Sequence, residues 1–187
     1  MAGDAPGVVF TVGHSTREGA ALVALLRENG VRVLVDVRRF PGSRRHPQFG
    51  RHALSASLAE AGITYRHAEA LGGRRDEDAS PTSPNTAWRG GFRAYADHTA
   101  TPAFRAALQA VMDEARARPL ALMCAEANPA HCHRSLITDV LLARGVPVHH
   151  ILAPGDTRPA GFTPHAVAGA DGAVTWPATP QHDLFGG

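Results

Sequence analysis

The chemistry-bearing residues of this sequence cluster in the run CAEANPAHCHR, residues 124–134. A cysteine attacks as its thiolate, and a helix N-terminus with basic neighbours favours that form. Cys132 stands among His131, His133 and Arg134, just ahead of a stretch with helical apolar spacing. It is the candidate nucleophile or redox thiol. Cys124 ends the apolar run Leu120 to Cys124 and reads as a buried, inert partner. Glu126, between Ala125 and Ala127, is the candidate general acid or base, since burial there would favour its protonated form. His133 and His14 are candidate polar assistants. The cysteines are eight apart and no second pair exists, so neither a zinc knuckle nor any other metal site or cofactor is expected. Arg134 lies ten residues beyond Cys124 and two beyond Cys132, which excludes a cysteine-x5-arginine phosphatase loop.

Two further segments carry polar groups. Gly13, His14 and Ser15 follow an apolar β-branched run, where a strand-to-helix turn would offer backbone N–H groups to an anion. No glycine-rich nucleotide fingerprint is present there. Asp36 and Arg38 are two apart on an extended segment and so share a side. They form an ion pair with each other or with Arg134. Alternatively, Asp36 orients Arg38 as a phosphate clamp or acts itself as a base.

These segments need a scaffold that brings strand ends together. Residues 8–12, 32–37, 63–67, 120–124 and 148–152 read as strands. Helical patterns fill the intervals, with Ser15 or Thr16 as cap of the first helix and Pro102 opening another. Strands alternating with helices predict a single α/β domain, a mostly parallel sheet of about five strands with helices on both faces. Residues 1–154 form that domain, and 155–187 form a Pro/Gly/Ala-rich tail expected to pack loosely. Residues 72–91 read as a long polar loop. In such a sheet ligands bind beyond the carboxyl ends of the strands, where all three polar segments fall.

Composition narrows the functions. All 19 basic residues are arginine, so no lysine can form a Schiff base. Arginine doublets at 38–39, 44–45 and 74–75 suit phosphate, with Arg44 among the candidate contacts. Trp88, Phe92 or Tyr95 could stack on a base. No apolar run is long enough to span a bilayer, and Met1 to Gly7 lacks the pattern of a secretory signal, so a cytoplasmic protein without membrane contact is expected.

The runs TVGHS, LVDVRRFPGSRRHPQF, RHAEALGG, GFRAYADH, LMCAEANPAHCHRSLI and VHHI occur in order over residues 8–153. In these the chain resembles the family called domain of unknown function 488. The resemblance implies an α/β fold carrying these polar segments as hallmarks, and no reaction. The last residues, QHDLFGG, resemble the short peptides that dock on bacterial sliding clamps, with Gln181, Leu184 and Phe185 as contacts. The reading that joins these observations is a DNA-processing hydrolase, acting in repair by base excision or a related step and recruited by that peptide. A thiol or redox enzyme using Cys132, and a non-catalytic nucleotide or nucleic-acid binding module, are the alternatives.

Overall fold

The structure, a computed structural model, describes residues 7–42, 44–75 and 78–178. Short, largely apolar runs form β1 (Val9–Gly13), β2 (Val33–Asp36), β4 (Leu120–Cys124) and β5 (Val148–Ala153), and the polar, partly exposed β3 (Thr64–His67) lies beside β2, all parallel. β6 (Asp156–Pro159) turns back antiparallel on β5. Among the described residues the main sheet has six strands in the order β3-β2-β4-β1-β5-β6. The α/β class and the mostly parallel sheet are as the sequence pattern predicts, with β6 added at the edge.

Along the central strands β2 and β4, successive apolar side chains enter opposite cores because they point to opposite faces of the sheet. In β4, Leu120, Leu122 and Cys124 join one core while Ala121 and Met123 join the other. The first core is completed by α3 (Gly90–His98), α4 (Pro102–Ala117) and α5 (Arg134–Ala143), through residues such as Tyr95, Phe104 and Ile137. The second is completed by α1 (Gly19–Glu28) and α2 (Arg51–Glu60), through Leu22, Leu26, Leu54 and Leu58. Pro102 opens α4 as expected, and the Thr101 side chain accepts from Phe104 N–H at 3.3 Å.

The strand order fixes where a ligand can go. The connection from β1 leads across β4 to β2, whereas the connection from β4 leads across β1 to β5. The two crossovers depart in opposite directions, and a crevice opens at the carboxyl ends of β1 and β4.

Two local expectations are corrected. Neither Ser15 nor Thr16 caps α1, because the helix begins later, at Gly19 after Glu18, with no side-chain cap. Ser15 instead takes a positive φ of 49° in the turn beyond β1. The segment after Pro154 is also not a loose tail as far as residue 178. Besides β6 it forms a small antiparallel pair, β7 (Val167–Ala168) and β8 (Val174–Thr175), and ends on Trp176, which is completely buried. Trp176 Nε1 donates to Asp139 Oδ2 on α5 at 2.8 Å, and Thr163 donates to the same carboxylate from its N–H at 2.8 Å and its hydroxyl at 2.6 Å. Burial raises the Asp139 pKa, while these donors oppose the shift. The segment lacks periodicity because it is held by one aromatic anchor and one buried carboxylate instead of a repeating apolar face. The expected clamp contacts Gln181, Leu184 and Phe185 lie outside the described residues.

Replacing Trp176 by alanine should therefore destabilise the whole domain by about 3–5 kcal/mol, the cost of emptying a large core site. Urea unfolding of Trp176→Ala against wild type measures this, and a change of a few tenths would restore the loose-tail description.

Candidate functional site

A cavity of about 860 Å³ opens at the crevice. Its wall includes His14 and Ser15 from the turn after β1, Arg38, Arg39, Phe40 and Arg45 from the segment after β2, and Gly73 and Arg74 from the loop after β3. Phe92 and Tyr95 come from α3, and Cys124, Glu126, His131, Cys132 and His133 from the segment joining β4 to α5. Four guanidinium groups therefore face one carboxylate, Glu126, among the described lining residues.

At the floor two sulfurs and one imidazole meet. His133 Nε2 lies 3.1 Å from the Val37 carbonyl, which can only accept, so this nitrogen carries the proton. Nδ1 lies 3.8 Å from Cys124 Sγ and 3.6 Å from Cys132 Sγ. The ring is held edge-on to Tyr95, with centroids 5.0 Å apart. The Gly73 backbone packs against it so closely that a Cβ there would stand 2.3 Å from Nδ1. Gly13 has a similar role, since a Cβ on it would stand 1.9 Å from the Glu126 carbonyl oxygen. This glycine lets the turn after β1 lie against the backbone after β4.

The thiols are distinct. Cys132 receives Arg134 Nε–H at 3.4 Å and Arg134 backbone N–H at 3.5 Å. Its pKa is pushed well down, first by hydrogen bonding with Cys124, then by His133 and Arg134, with burial opposing. The Cys124 pKa is pushed up by the same hydrogen bond and by burial. Cys132 remains the candidate nucleophile, and Cys124 is revised from an inert hydrophobe to its neighbour on the cavity floor.

Several expected site residues do other work. His14 and Ser15 border the cavity, but their N–H groups donate to the Cys124 and Ala125 carbonyls at 2.9 and 2.8 Å. With α1 starting only at Gly19, Gly13, His14 and Ser15 form no anion cradle. Asp36 is wholly buried and its oxygens are occupied by Arg38 Nε at 2.9 Å, Arg38 Nη2 at 2.6 Å and Tyr65 hydroxyl at 2.8 Å. It positions Arg38 and cannot reach a substrate as a base. Arg134 is 1% exposed and donates to the Glu126 and Ala127 carbonyls, so it braces the loop instead of binding phosphate. Glu126 is exposed, without the burial expected to tune it, yet it borders the cavity. Arg44 is exposed and is not part of the described lining. Arg38 does line the cavity, with Nη1 3.3 Å from His14 Nε2. Of the aromatics, Tyr95 is a core residue whose hydroxyl donates to the Leu71 carbonyl at 2.8 Å. Trp88 packs on the core, stacked with Phe92 at 5.3 Å, and Phe92 borders the cavity.

Sequence reasoning missed Phe40, Phe49 and Tyr65. Phe40 is 60% exposed at the rim, with the Arg39 guanidinium 5.4 Å from its ring centre. Its place between two arginine doublets was the available signal. Phe49 stacks on His14 at 4.3 Å and accepts from Arg38 through its carbonyl at 2.8 Å. Burial and the Asp36 carboxylate push the Tyr65 phenol up to about 12, which keeps it a donor.

A doubly wound α/β domain with a thiol–imidazole centre under an arginine-lined cavity is the class that fold and site define. Within it, the chain belongs to the family described as Domain of unknown function DUF488, whose model matches residues 19–141. That stretch holds every floor residue but not β1, β5 or β6. No curated protein and no solved structure matches the chain.

The site has a pH signature. His14 donates from Nδ1 to the Ser15 carbonyl at 2.9 Å and accepts from Arg38, so a second proton has no place. Burial lowers its pKa to about 4, and burial likewise lowers His150, which is paired with Thr11 at 2.7 Å, to about 4. In the unfolded chain both bind protons near pH 6.5. Folding stability should thus be full above pH 6.5 and fall as pH drops toward about 4. Urea unfolding at stepped pH tests this, and His150→Gln should flatten the slope. A wild-type profile level down to pH 4 would refute the assignment.

Proposed function

We propose that this protein is a DNA-processing enzyme that uses the cavity for hydrolytic chemistry on a phosphate-bearing strand. The observation that carries the reading is the set of guanidinium groups in the cavity wall, Arg39, Arg45, Arg74 and the Asp36-paired Arg38, set directly over a reactive floor. Arginine forks bind phosphate oxygens and release counterions, which gives salt-dependent affinity. Phe40, exposed among them, offers a face on which a base can stack. Glu126 is the proton-transfer residue of the reaction, because Asp36 is fully engaged with Arg38 and Tyr65. Such an enzyme would work in the cytoplasm, and among the described residues no helix is long and apolar enough to cross a membrane. The Gln181, Leu184 and Phe185 peptide would recruit it to a sliding clamp at sites of DNA synthesis or repair.

A second reading, a dithiol redox enzyme, is favoured by one observation. Cys124 and Cys132 are both free, and their sulfurs share the cavity floor. Quantifying thiols after mild oxidation, with Cys132→Ser as control, separates the two. A reversible intramolecular disulfide with unchanged DNA affinity would support the redox reading.

Binding of a fluorescent single-stranded oligonucleotide should weaken in Arg45→Ala and Arg74→Ala, each lowering the salt slope by about 0.7. Phe40→Ala should lose about 1–3 kcal/mol with little change in that slope. Affinity that ignores both salt and the arginines would sink the nucleic-acid reading. On a panel of damaged oligonucleotides, Glu126→Gln should bind normally and yield no product. A peptide of residues 179–187 should bind a bacterial sliding clamp with micromolar affinity, lost when Leu184 and Phe185 are both alanine. No binding would remove the recruitment step.

A further inference from the structure

We propose that Cys124, Cys132 and His133 bind one zinc ion and leave a fourth coordination position open to the cavity. Tetrahedral zinc with Zn–S of about 2.3 Å and Zn–N of about 2.0–2.1 Å requires sulfur-to-nitrogen edges of about 3.6 Å. The two edges at His133 Nδ1 are 3.6 and 3.8 Å, and all three donor atoms lie within 4.8 Å of one another. The two sulfur-to-nitrogen edges therefore match a tetrahedron of zinc's size.

The surroundings fit a metal as well as the distances do. Three donor atoms, two sulfurs and one imidazole nitrogen, gather at the cavity floor within 4.8 Å of one another. A cation among them satisfies all three. The His133 Nε2–H donates to the Val37 carbonyl, the kind of bond that fixes the tautomer and aim of a ligating imidazole. Arg134 donates twice to the Cys132 sulfur, which stabilises a ligand thiolate. Two thiolates and an imidazole are soft donors that suit zinc, whereas magnesium and calcium take oxygen ligands.

Three protein ligands with an open position describe a catalytic zinc, not a structural one. A water at that position loses a proton near neutral pH. The O–H bond breaks, the proton passes to a Glu126 carboxylate oxygen, and the hydroxide stays on the metal as the nucleophile. This hydrolytic use rests on the proposed function, but the metal site itself does not.

The test uses the untagged full chain and the metals alone. Purified protein should carry stoichiometric zinc by mass spectrometry of its metal content. Chelator-treated protein titrated with cobalt(II) should develop tetrahedral d–d bands and thiolate-to-cobalt charge transfer. Loss of an outer hydrogen-bond partner of a ligand already costs about 10–100-fold in metal affinity, so Cys124→Ser and His133→Gln should cost at least about 100-fold. Both should retain the wild-type circular dichroism spectrum, which removes dependence on the more deeply buried Cys132. Glu126→Gln should bind metal normally. Folded wild type without zinc and without the cobalt spectrum would overturn the site, as would unchanged affinity in either ligand variant. Zinc retained with no DNA binding would sink the proposed function alone, and DNA binding without metal would sink the zinc site alone.

Discussion

A guanidinium taken out of water must find negative charge or enough acceptors to replace its hydration. Arg134 is 1% exposed, and among the described residues no carboxylate reaches it. Its partners are the Cys132 sulfur, the Thr11 hydroxyl, and the Glu126 and Ala127 carbonyls. Satisfying this one buried cation folds the loop after β4 around it and sets the Cys132 sulfur beside it. The site depends on that constraint. Gly13 can approach the Glu126 carbonyl only because the loop is drawn in, and His133 is carried to the floor by the helix turn that Arg134 begins.

A second buried cation organises the other wall. Arg38 is fixed by both oxygens of Asp36, which Tyr65 also donates to, and by the Phe49 carbonyl. A charged pair this deep is weak support for stability, because desolvation offsets most of its attraction. Its consequence is orientation. Arg38 has one nitrogen left facing His14 and the cavity, while Asp36 has no oxygen left for chemistry. The cavity is therefore cationic at its walls and sulfur-rich at its floor, and proton transfer falls to Glu126.

The C-terminal segment shows how such buried polar anchors extend beyond the site. Asp139 sits inside α5 and gathers Thr163 and Trp176, while Trp176 N–H donates to Asn85 Oδ1 at 2.9 Å and its carbonyl accepts from Ala87 at 2.9 Å. Asn85 in turn donates to Asp97 on α3 at 2.8 Å. The segment thereby braces the loop that leads into α3, the helix that supplies Phe92 to the cavity. A stretch whose composition suggests slack chain is part of the wall's support.

The sequence by itself determined the parallel α/β class, the strands and main helices as far as β5, and the three segments that meet at the strand ends. These follow from local periodicity, from glycine and proline stops, and from the rule that parallel strands point their carboxyl ends one way. It also marked Cys132 and the arginine doublets, whose chemistry belongs to residue type and near neighbours. Burial and convergence were decided only by the tertiary structure. A spacing of eight argued against a shared metal site for Cys124 and Cys132, yet a strand end and a helix start bring both sulfurs to His133. Glu126 became exposed while Asp36, Arg134 and Trp176 were buried, because each outcome depends on partners brought from distant parts of the chain. Local pattern encodes the path of the backbone, whereas the partners of a polar side chain are set by which strand ends the sheet order places side by side.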